Sequence, residues 1–267
     1  MSNLSSSVKK SGNYRLTQLL SVLAVLAWGI LLLKYAITGQ YQLLIHPNYF
    51  YLMLFTSILL LIIGIMKTRK LLKTSISVVD DEQHLTIFPP GIGSSLLLLS
   101  AIAGLIIPPT VLASQTALQR GVTETLPLTS YQPQAFVTQT RPEERSLIEW
   151  IRTLNAYPEP DAYKGQPAKI TGFVIHVPEL PENYLLLSRF ILTCCAVDAY
   201  PVFIPVELST NRQQYPPDTW LEIEGAMTTH TLKIRDRSDT PKEKRRLVLK
   251  ANNIKQIPTP SNPYSYQ

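Results

Sequence analysis

The sequence predicts a membrane α plus β protein: three transmembrane helices followed by a linker, a short helix and a small antiparallel β-barrel that is OB-like (oligonucleotide/oligosaccharide-binding-like). Three observations predict this class: long uncharged apolar runs in the first half, basic residues beside those runs, and short strand patterns bounded by Pro and Gly afterwards. The predicted boundaries are residues 1–113 for the membrane domain, 114–139 for the linker and 140–267 for an extracytoplasmic β-rich OB-like domain.

Three segments are long and apolar enough to cross a bilayer. They cover residues 16–38, 47–66 and 91–113, and a spanning helix needs about 20 such residues. The first segment contains one charged residue, Lys34, near its end, and the other two contain none. Only 16% of all residues are charged, which is below the roughly one quarter usual for soluble domains. Each segment is therefore predicted to be a transmembrane helix in contact with the lipid bilayer.

The distribution of charge predicts the orientation of these helices. No acidic residue precedes Asp80, whereas eight basic residues do. These are Lys9, Lys10, Arg15, Lys34, Lys67, Arg69, Lys70 and Lys73. Because positive charge favours the cytoplasmic side, we expect a multi-pass inner-membrane protein with a cytoplasmic N-terminus and an extracytoplasmic C-terminal domain. The net charge of +6 flanks apolar runs and does not form a basic docking face, so nucleic-acid binding is not expected.

A short helix is predicted at the start of the C-terminal domain. Thr140 is a suitable N-cap, and Pro158 is a suitable stop. The apolar stripe of this helix consists of Leu147, Ile148, Ile151 and Leu154. Because these positions recur at helical spacing, we expect them to be buried.

The remainder of the C-terminal domain has the pattern of short strands. Strand patterns cover residues 168–177, 189–208 with a turn near 198–201, 220–227 and 246–257. Gly172 and Gly225 lie inside these patterns, where glycine suits the bends of a curved sheet. The charged run at residues 242–246 is predicted to be a solvated loop. Too few strands are present for an immunoglobulin-like sandwich, so the OB-like barrel is favoured.

The two cysteines, Cys194 and Cys195, are adjacent on a predicted strand. Successive side chains of a regular strand point to opposite faces, so Cys194 is expected inside and Cys195 outside. Three hypotheses remain open: simple packing, a redox-active or covalent thiol, and a soft-metal site such as one for zinc. The metal hypothesis adds Asp198, His176 or His230 as ligands. It also requires a β-bulge at the cysteine pair, which would bring both sulfurs to one side.

No catalytic constellation is present in the sequence. The four histidines are scattered and form no HxH or HExxH pair, and no Walker, GxSxG or GxGxxG motif occurs. Glu222 and Glu224 share one strand face, which the alternation of the strand already explains. We therefore expect a protein that is not an enzyme.

Several local strings carry a family resemblance, and the most specific is Cys-Cys-x-x-Asp-Ala-x-Pro within residues 189–202. The other strings are His46-Pro47, Ile107-Pro108-Pro109, Gln119-Arg120-Gly121, residues 163–166, Gly172-Phe173-Val174, Ile257-Pro258 and residues 262–266. Over nearly all 267 residues the chain resembles the YcgQ-like family, bacterial membrane proteins described as subunits of two-component permeases. In that family a membrane part precedes a β-rich domain of unknown function.

The resemblance implies a separate, polytopic permease-like membrane protein as partner. The expected function is then a non-catalytic accessory subunit that docks this partner through its helices and binds partner, solute or metal through its β domain. Arg189, Cys194, Cys195 and Asp198 lie in the most specific string and are the candidate binding residues. The alternative is a membrane-tethered metal-binding or thiol-redox protein that acts through Cys194 and Cys195. A structural envelope protein is a third hypothesis.

Overall fold

The computed structural model describes residues 2–73, 91–123, 140–235 and 242–266. The chain forms two compact units, Met1–Thr110 and Val111–Gln267. Among its described residues the first unit contains three α-helices: α1 (Ser2–Thr38), α2 (Phe50–Lys73) and α3 (Ile92–Ile106). The predicted cytoplasmic loop at residues 74–90 lies outside the described residues, as do residues 124–139 of the predicted linker.

Two helical segments are long and apolar enough to cross a membrane. They are Arg15–Thr38 and Pro47–Lys73, which have 24 and 27 residues and a mean hydropathy of 2.3 each. At about 1.5 Å per residue, either segment exceeds the roughly 30 Å thickness of the hydrocarbon core. The first two predicted spans are therefore long enough for the membrane role that the sequence indicates.

The third predicted span, residues 91–113, is corrected by the structure. Helix α3 has only 15 residues and ends at Ile106. A helix of that length extends about 22 Å, which is shorter than the hydrocarbon core. It ends where Ile107 adopts extended backbone angles before Pro108 and Pro109. The residue before a proline is driven away from helical angles, and proline itself offers no N–H to continue the helix.

Helix α3 runs in the same direction as α1 within the first unit. The indole Nε1 of Trp28 donates to the carbonyl of Leu97 at 3.0 Å. Further along both helices, Nζ of Lys34 donates to the carbonyl of Leu105 at 2.8 Å. Because residue numbers rise together along the contact, the C-terminal ends of α1 and α3 lie at the same end of the helical unit.

In the part of the second unit that the structure describes, there are two α-helices, α4 (Ser114–Arg120) and α5 (Leu147–Ala156), and one mixed sheet of six strands. The strands are β1 (Pro167–Ile175), β2 (Tyr184–Leu192), β3 (Tyr200–Glu207), β4 (Trp220–Ile234), β5 (Lys242–Ile257) and β6 (Tyr264–Tyr266). Their order in the sheet is β1-β4-β5-β3-β2-β6. The β3–β5 and β2–β6 pairs are parallel, and the other neighbours are antiparallel.

An additional antiparallel pairing joins β1 to β2, from Phe173 opposite Ser188 to Ile175 opposite Leu186. Each of the first five strands therefore pairs with at least two others, and β2 pairs with three. Gly172 lies where β1 approaches β2, and a Cβ atom there would be 2.6 Å from the carbonyl oxygen of Ser188. The position requires glycine because a side chain would collide with the neighbouring backbone.

The strand boundaries differ from the sequence prediction in several places, and β2, for example, covers Tyr184–Leu192 instead of beginning at residue 189. Residues 242–246, predicted as a loop, form the start of β5 and pair with residues 230–234 of β4. Strand β4 continues beyond the predicted strand at residues 220–227, and His230 lies on this extension. Strand β6 has three residues, which is too short to show the alternation on which sequence prediction depends. The charged run is compatible with a strand because its residues 243–245 are exposed.

Helix α5 begins later than predicted. Its N-cap is Ser146 and not Thr140, and a short 3-10 turn at Pro142–Glu144 precedes it. The Ser146 amide donates to Glu149 Oε2 at 2.7 Å, and the Glu149 amide donates to Ser146 Oγ at 3.3 Å. This reciprocal capping box satisfies two amides that the helix leaves without partners. The predicted stripe is confirmed in its first three members, which are buried, and Leu154 is partly buried.

The carboxylate of Asp161, which precedes β1, accepts hydrogen bonds from side chains on β4 and β5. This contact makes the stability of the fold in acid testable. Arg245 and Thr229 both donate to Asp161, Arg245 at 2.6 Å through Nε and Thr229 at 2.7 Å. These hydrogen bonds lower the pKa of Asp161 from 3.8 to about 2. Stability from this group is therefore present above pH 3.8 and is lost as the pH falls through about 2.

We expect Asp161→Asn to lower the thermal midpoint of the full chain at pH 5 and to leave it nearly unchanged at pH of about 2, where the wild-type carboxylate also becomes protonated. Circular dichroism in detergent across this pH range measures the difference. A gap between wild type and variant that stays constant with pH would contradict the prediction.

Candidate functional site

The two cysteines lie in the loop between β2 and β3 and not on a strand. Strand β2 ends at Leu192 and β3 begins at Tyr200. Cys194 is exposed and Cys195 is half-buried. The prediction that Cys194 points into the core is therefore wrong, and so is the β-bulge that the metal hypothesis required.

The carboxylate of Asp198 organises this loop. Its Oδ2 accepts from the amide of Cys194 at 2.8 Å, and its Oδ1 accepts from the amide of Cys195 at 3.2 Å. The amide of Asp198 in turn donates to the carbonyl of Cys195 at 3.1 Å. Successive amides of an extended strand point in opposite directions, whereas here both turn towards one carboxylate. The two cysteine side chains therefore do not alternate.

This turn brings three metal-binding atoms together. The Sγ atoms of Cys194 and Cys195 are 3.7 Å apart. The two sulfurs and a carboxylate oxygen of Asp198 all lie within 4.8 Å of one another. Zn–S bonds of about 2.3 Å in a tetrahedral site place two sulfurs roughly 3.8 Å apart. The sulfur separation thus suits a tetrahedral ion, and within the described ranges this is the one such cluster of three.

A second group holds the other half of the loop. The guanidinium of Arg120, at the end of α4, donates through one Nη to the carbonyls of Ala196 at 3.0 Å and Ala199 at 2.5 Å. The chain just after α4 is fixed to β3, because the Thr123 amide donates to the Pro201 carbonyl at 3.2 Å. No local sequence pattern indicates this role for Arg120. The residue is 76 positions from Ala196, and no spacing rule connects them.

The electrostatics of the loop affect the metal-binding and the redox hypotheses for the cysteines alike. Hydrogen bonding to Asp198, and then to Cys195, raises the pKa of Cys194 to about 12. Partial burial acts to raise the pKa of Asp198, but the thiol and amide hydrogen bonds that it accepts lower it overall. A thiol with a raised pKa is protonated at neutral pH, so a nucleophilic role and metal binding both require removal of its proton. A metal ion would have to displace its proton.

The two histidines considered as further ligands lie elsewhere. His176 Nε2 is 2.9 Å from the carbonyl oxygen of Tyr215, and burial lowers the pKa of this imidazole. His230 Nδ1 is 2.6 Å from the hydroxyl of Tyr184. Neither belongs to the Cys194–Cys195–Asp198 cluster. Both histidines therefore have partners that explain their positions without a metal.

Arg189 also lies apart from the cysteine loop. It sits on β2, where its Nη2 donates to the carbonyl of Asn262 at 2.8 Å and its guanidinium lies 5.6 Å from the centre of the Trp220 ring. It lines a cavity of about 420 Å³ together with Lys169 and Glu222, among others. The structure therefore separates Arg189 from the other three candidate residues, and Asn262 links it to the chain before β6.

These features define a class: a chain with two helices long and apolar enough to cross a membrane, followed by a mixed β-sheet unit that carries an exposed cysteine–cysteine–aspartate cluster. Residues 20–123 match the DUF1980 N-terminal domain, and residues 137–267 match the DUF1980 C-terminal domain. The chain therefore belongs to the DUF1980 family, a family of domains of unknown function. No curated protein and no solved structure matches it. The expected role as a permease subunit stays a prediction.

Proposed function

We propose that the chain is a membrane-anchored metal-binding protein whose Cys194, Cys195 and Asp198 bind one zinc-class ion. The observation that carries this proposal is the 3.7 Å separation of the two sulfurs, with an Asp198 oxygen within 4.8 Å of both. Helices α1 and α2 serve as the anchor. The site requires no catalytic step, and we assign none.

The donor set favours a borderline-soft ion. Thiolates select soft or borderline metals such as zinc, whereas magnesium and calcium require oxygen ligands. The single carboxylate of Asp198 adds a harder donor that zinc also accepts.

A metal titration tests the proposal. The full chain is purified in detergent with a phosphine reductant and titrated with Zn²⁺, with Mg²⁺ as the matched control. We expect one Zn²⁺ per chain, no Mg²⁺ uptake, and thiolate charge-transfer absorption when Co²⁺ replaces Zn²⁺. Absence of Zn²⁺ uptake would contradict the proposal. Recovery of a stable Cys194–Cys195 disulfide without reductant, together with no uptake, would favour the redox alternative.

We further infer that the sheet of the second unit is a small OB-like barrel. The support is a closed ring of strand pairs. In the order β1, β2, β3, β5, β4, each strand pairs with the next one, and β4 pairs with β1. Strand pairing of this kind leaves few open edges. The cysteine loop would then be a connection between two strands of the barrel.

We also propose that the N-terminus is cytoplasmic and that the second unit is extracytoplasmic. The basic residues around α1 and α2 support the first part. The parallel contact of α3 with α1 supports the second, because the chain leaves α3 at the end where α1 also ends.

A second candidate function is the non-catalytic accessory subunit of a two-component permease. Between residues 16–66 and within α3, Lys34 is the only charged residue, and its ammonium group donates to the carbonyl of Leu105. Pathways for ions through membranes normally contain charged or polar residues at depth. The helices of this chain therefore favour an anchoring role, with a solute pathway supplied by a partner.

Co-purification tests this second function. We expect detergent extraction to recover one polytopic membrane protein in a 1:1 ratio with the chain, identified by mass spectrometry. The matched control is the same chain in which α1–α3 are replaced by an unrelated anchor. Equal recovery with that control, or no partner with the native chain, would contradict the accessory-subunit hypothesis.

A further inference from the structure

We infer that the ion bound by Cys194, Cys195 and Asp198 is an exchangeable cargo, and that Arg120 is the positioning residue that holds the loop ready to receive it. This inference rests on the proposed metal-binding function. It concerns the release of the ion from the site. The molecule that accepts the ion supplies a thiol or imidazole donor.

The number of protein ligands leaves one position of a tetrahedral ion open. The loop offers three donor atoms, and a tetrahedral ion has four positions. Structural zinc sites are closed by four protein ligands, whereas sites with an open position admit an outside ligand. The loop is also accessible, since Cys194 is exposed and Val197 at its tip has 85% of its surface exposed. A donor from another molecule can therefore approach the ion directly.

Hydrogen bonds within the protein hold the cysteine loop in place. Asp198 accepts the amides of both cysteines, and Arg120 donates to the carbonyls of Ala196 and Ala199 on the other side. In structural zinc sites, binding of the metal supplies the free energy of folding. Here these four hydrogen bonds join groups of the protein itself, so we expect the loop to keep its structure when the ion leaves.

Exchange of the ion is a ligand substitution. An entering thiolate or neutral imidazole first occupies the open position. As further donors of the acceptor bind the ion, the Cys194 and Cys195 thiolates and the Asp198 carboxylate leave it, and each thiolate takes up a proton from water or from the entering thiol. No electron is transferred, and the ion keeps its charge throughout. Because the entering ligand takes part, the rate of release should rise with its concentration.

A release experiment tests the exchange. The full chain in detergent is loaded with Zn²⁺ and mixed with increasing concentrations of a thiol-containing chelator. We expect the rate of Zn²⁺ release to increase with chelator concentration, and the circular dichroism of the chain to be the same before and after release. Release at a rate independent of the chelator, or loss of β structure on release, would overturn the inference although zinc binding itself would stand.

A matched pair of arginine variants tests the positioning role. Arg212 also donates to two backbone carbonyls, those of Val177 at 2.9 Å and Leu180 at 3.4 Å, in a different loop. We expect Arg120→Gln to weaken Zn²⁺ binding about 10- to 100-fold while the stoichiometry stays at one, as for other residues that orient metal ligands. Arg212→Gln should leave the affinity unchanged.

Equal Zn²⁺ affinities for wild type and Arg120→Gln, or equal losses in both variants, would overturn the role of Arg120. If Arg120→Gln does not fold, Arg120→Lys serves instead. It keeps the charge and can donate to one carbonyl at a time, so an intermediate affinity is expected, and an unchanged affinity would again overturn the role. Failure of the wild type to bind Zn²⁺ at all would instead refute the proposed function.

Discussion

Replacement of either Cys194 or Cys195 by serine is expected to lower the Zn²⁺ affinity of the chain at least about 100-fold. Loss of a residue that only orients a ligand already costs roughly 10- to 100-fold, and these variants remove a ligand itself. A serine hydroxyl is a much poorer donor to zinc than a thiolate because it stays protonated at neutral pH. Competition with a coloured chelator, using the full chain in detergent, measures the change.

The structure provides a matched control for this prediction. Val197 lies in the same loop with its side chain exposed, and Val197→Ser introduces the same residue at a position without a donor role. Its affinity should equal that of wild type. Because Cys194 is exposed, Cys194→Ser should change the stability of the fold by less than about 0.5 kcal/mol. Two cysteine variants that bind Zn²⁺ as tightly as wild type would refute the site.

The second prediction concerns the side of the membrane on which each part lies. We expect a reporter fused after Gln267 to be active only outside the cytoplasm, and a reporter fused after Lys73 to be active only inside. The physical reason is that Lys and Arg residues before α1 and at the end of α2 favour the cytoplasmic face. Helix α3 packs parallel to α1, so we expect the chain after α3 on the side of the membrane where α1 ends.

The short length of α3 makes this measurement decisive. Two helices alone would return the chain to the cytoplasmic side, and α3 with 15 residues does not reach across the hydrocarbon core by itself. A C-terminal reporter active in the cytoplasm would therefore show that α3 enters the membrane without crossing it. The fusion after Lys73 is the internal control, because its location depends only on α1 and α2.

Local patterns in the sequence were enough for much of the fold. The positions of α1 and α2, the apolar stripe of α5 and four of the strand regions depend on the burial preference of residues within one segment. Cys194, Cys195 and Asp198 could also be named as candidates, because soft and hard donors occur close together in the sequence. These features were accessible because both the pattern and the structure it forms are local.

The structures of residues 242–246 and of the cysteine loop differ from what their local sequence patterns predict. Residues 242–246 pair with β4 although their charges are typical of a loop, because exposed positions in a two-stranded ribbon tolerate charge. The strand pattern around Cys194 predicted the wrong structure for a different reason. The Asp198 carboxylate accepts hydrogen bonds from two successive amides, and these bonds replace strand pairing.

By itself, the sequence determined an apolar helical half, a β-rich half and the donor chemistry of the cysteine pair. These depend on the hydrophobicity, charge and side-chain chemistry of neighbouring residues, which any segment carries with it. Only the tertiary structure decided three other features. The two sulfurs lie 3.7 Å apart, and Arg120 donates a hydrogen bond to the cysteine loop from 76 residues away. Strand β1 pairs with β2 as well as with β4. The physical reason is that these contacts join atoms whose separation depends on the path of the whole chain, so no local pattern encodes them.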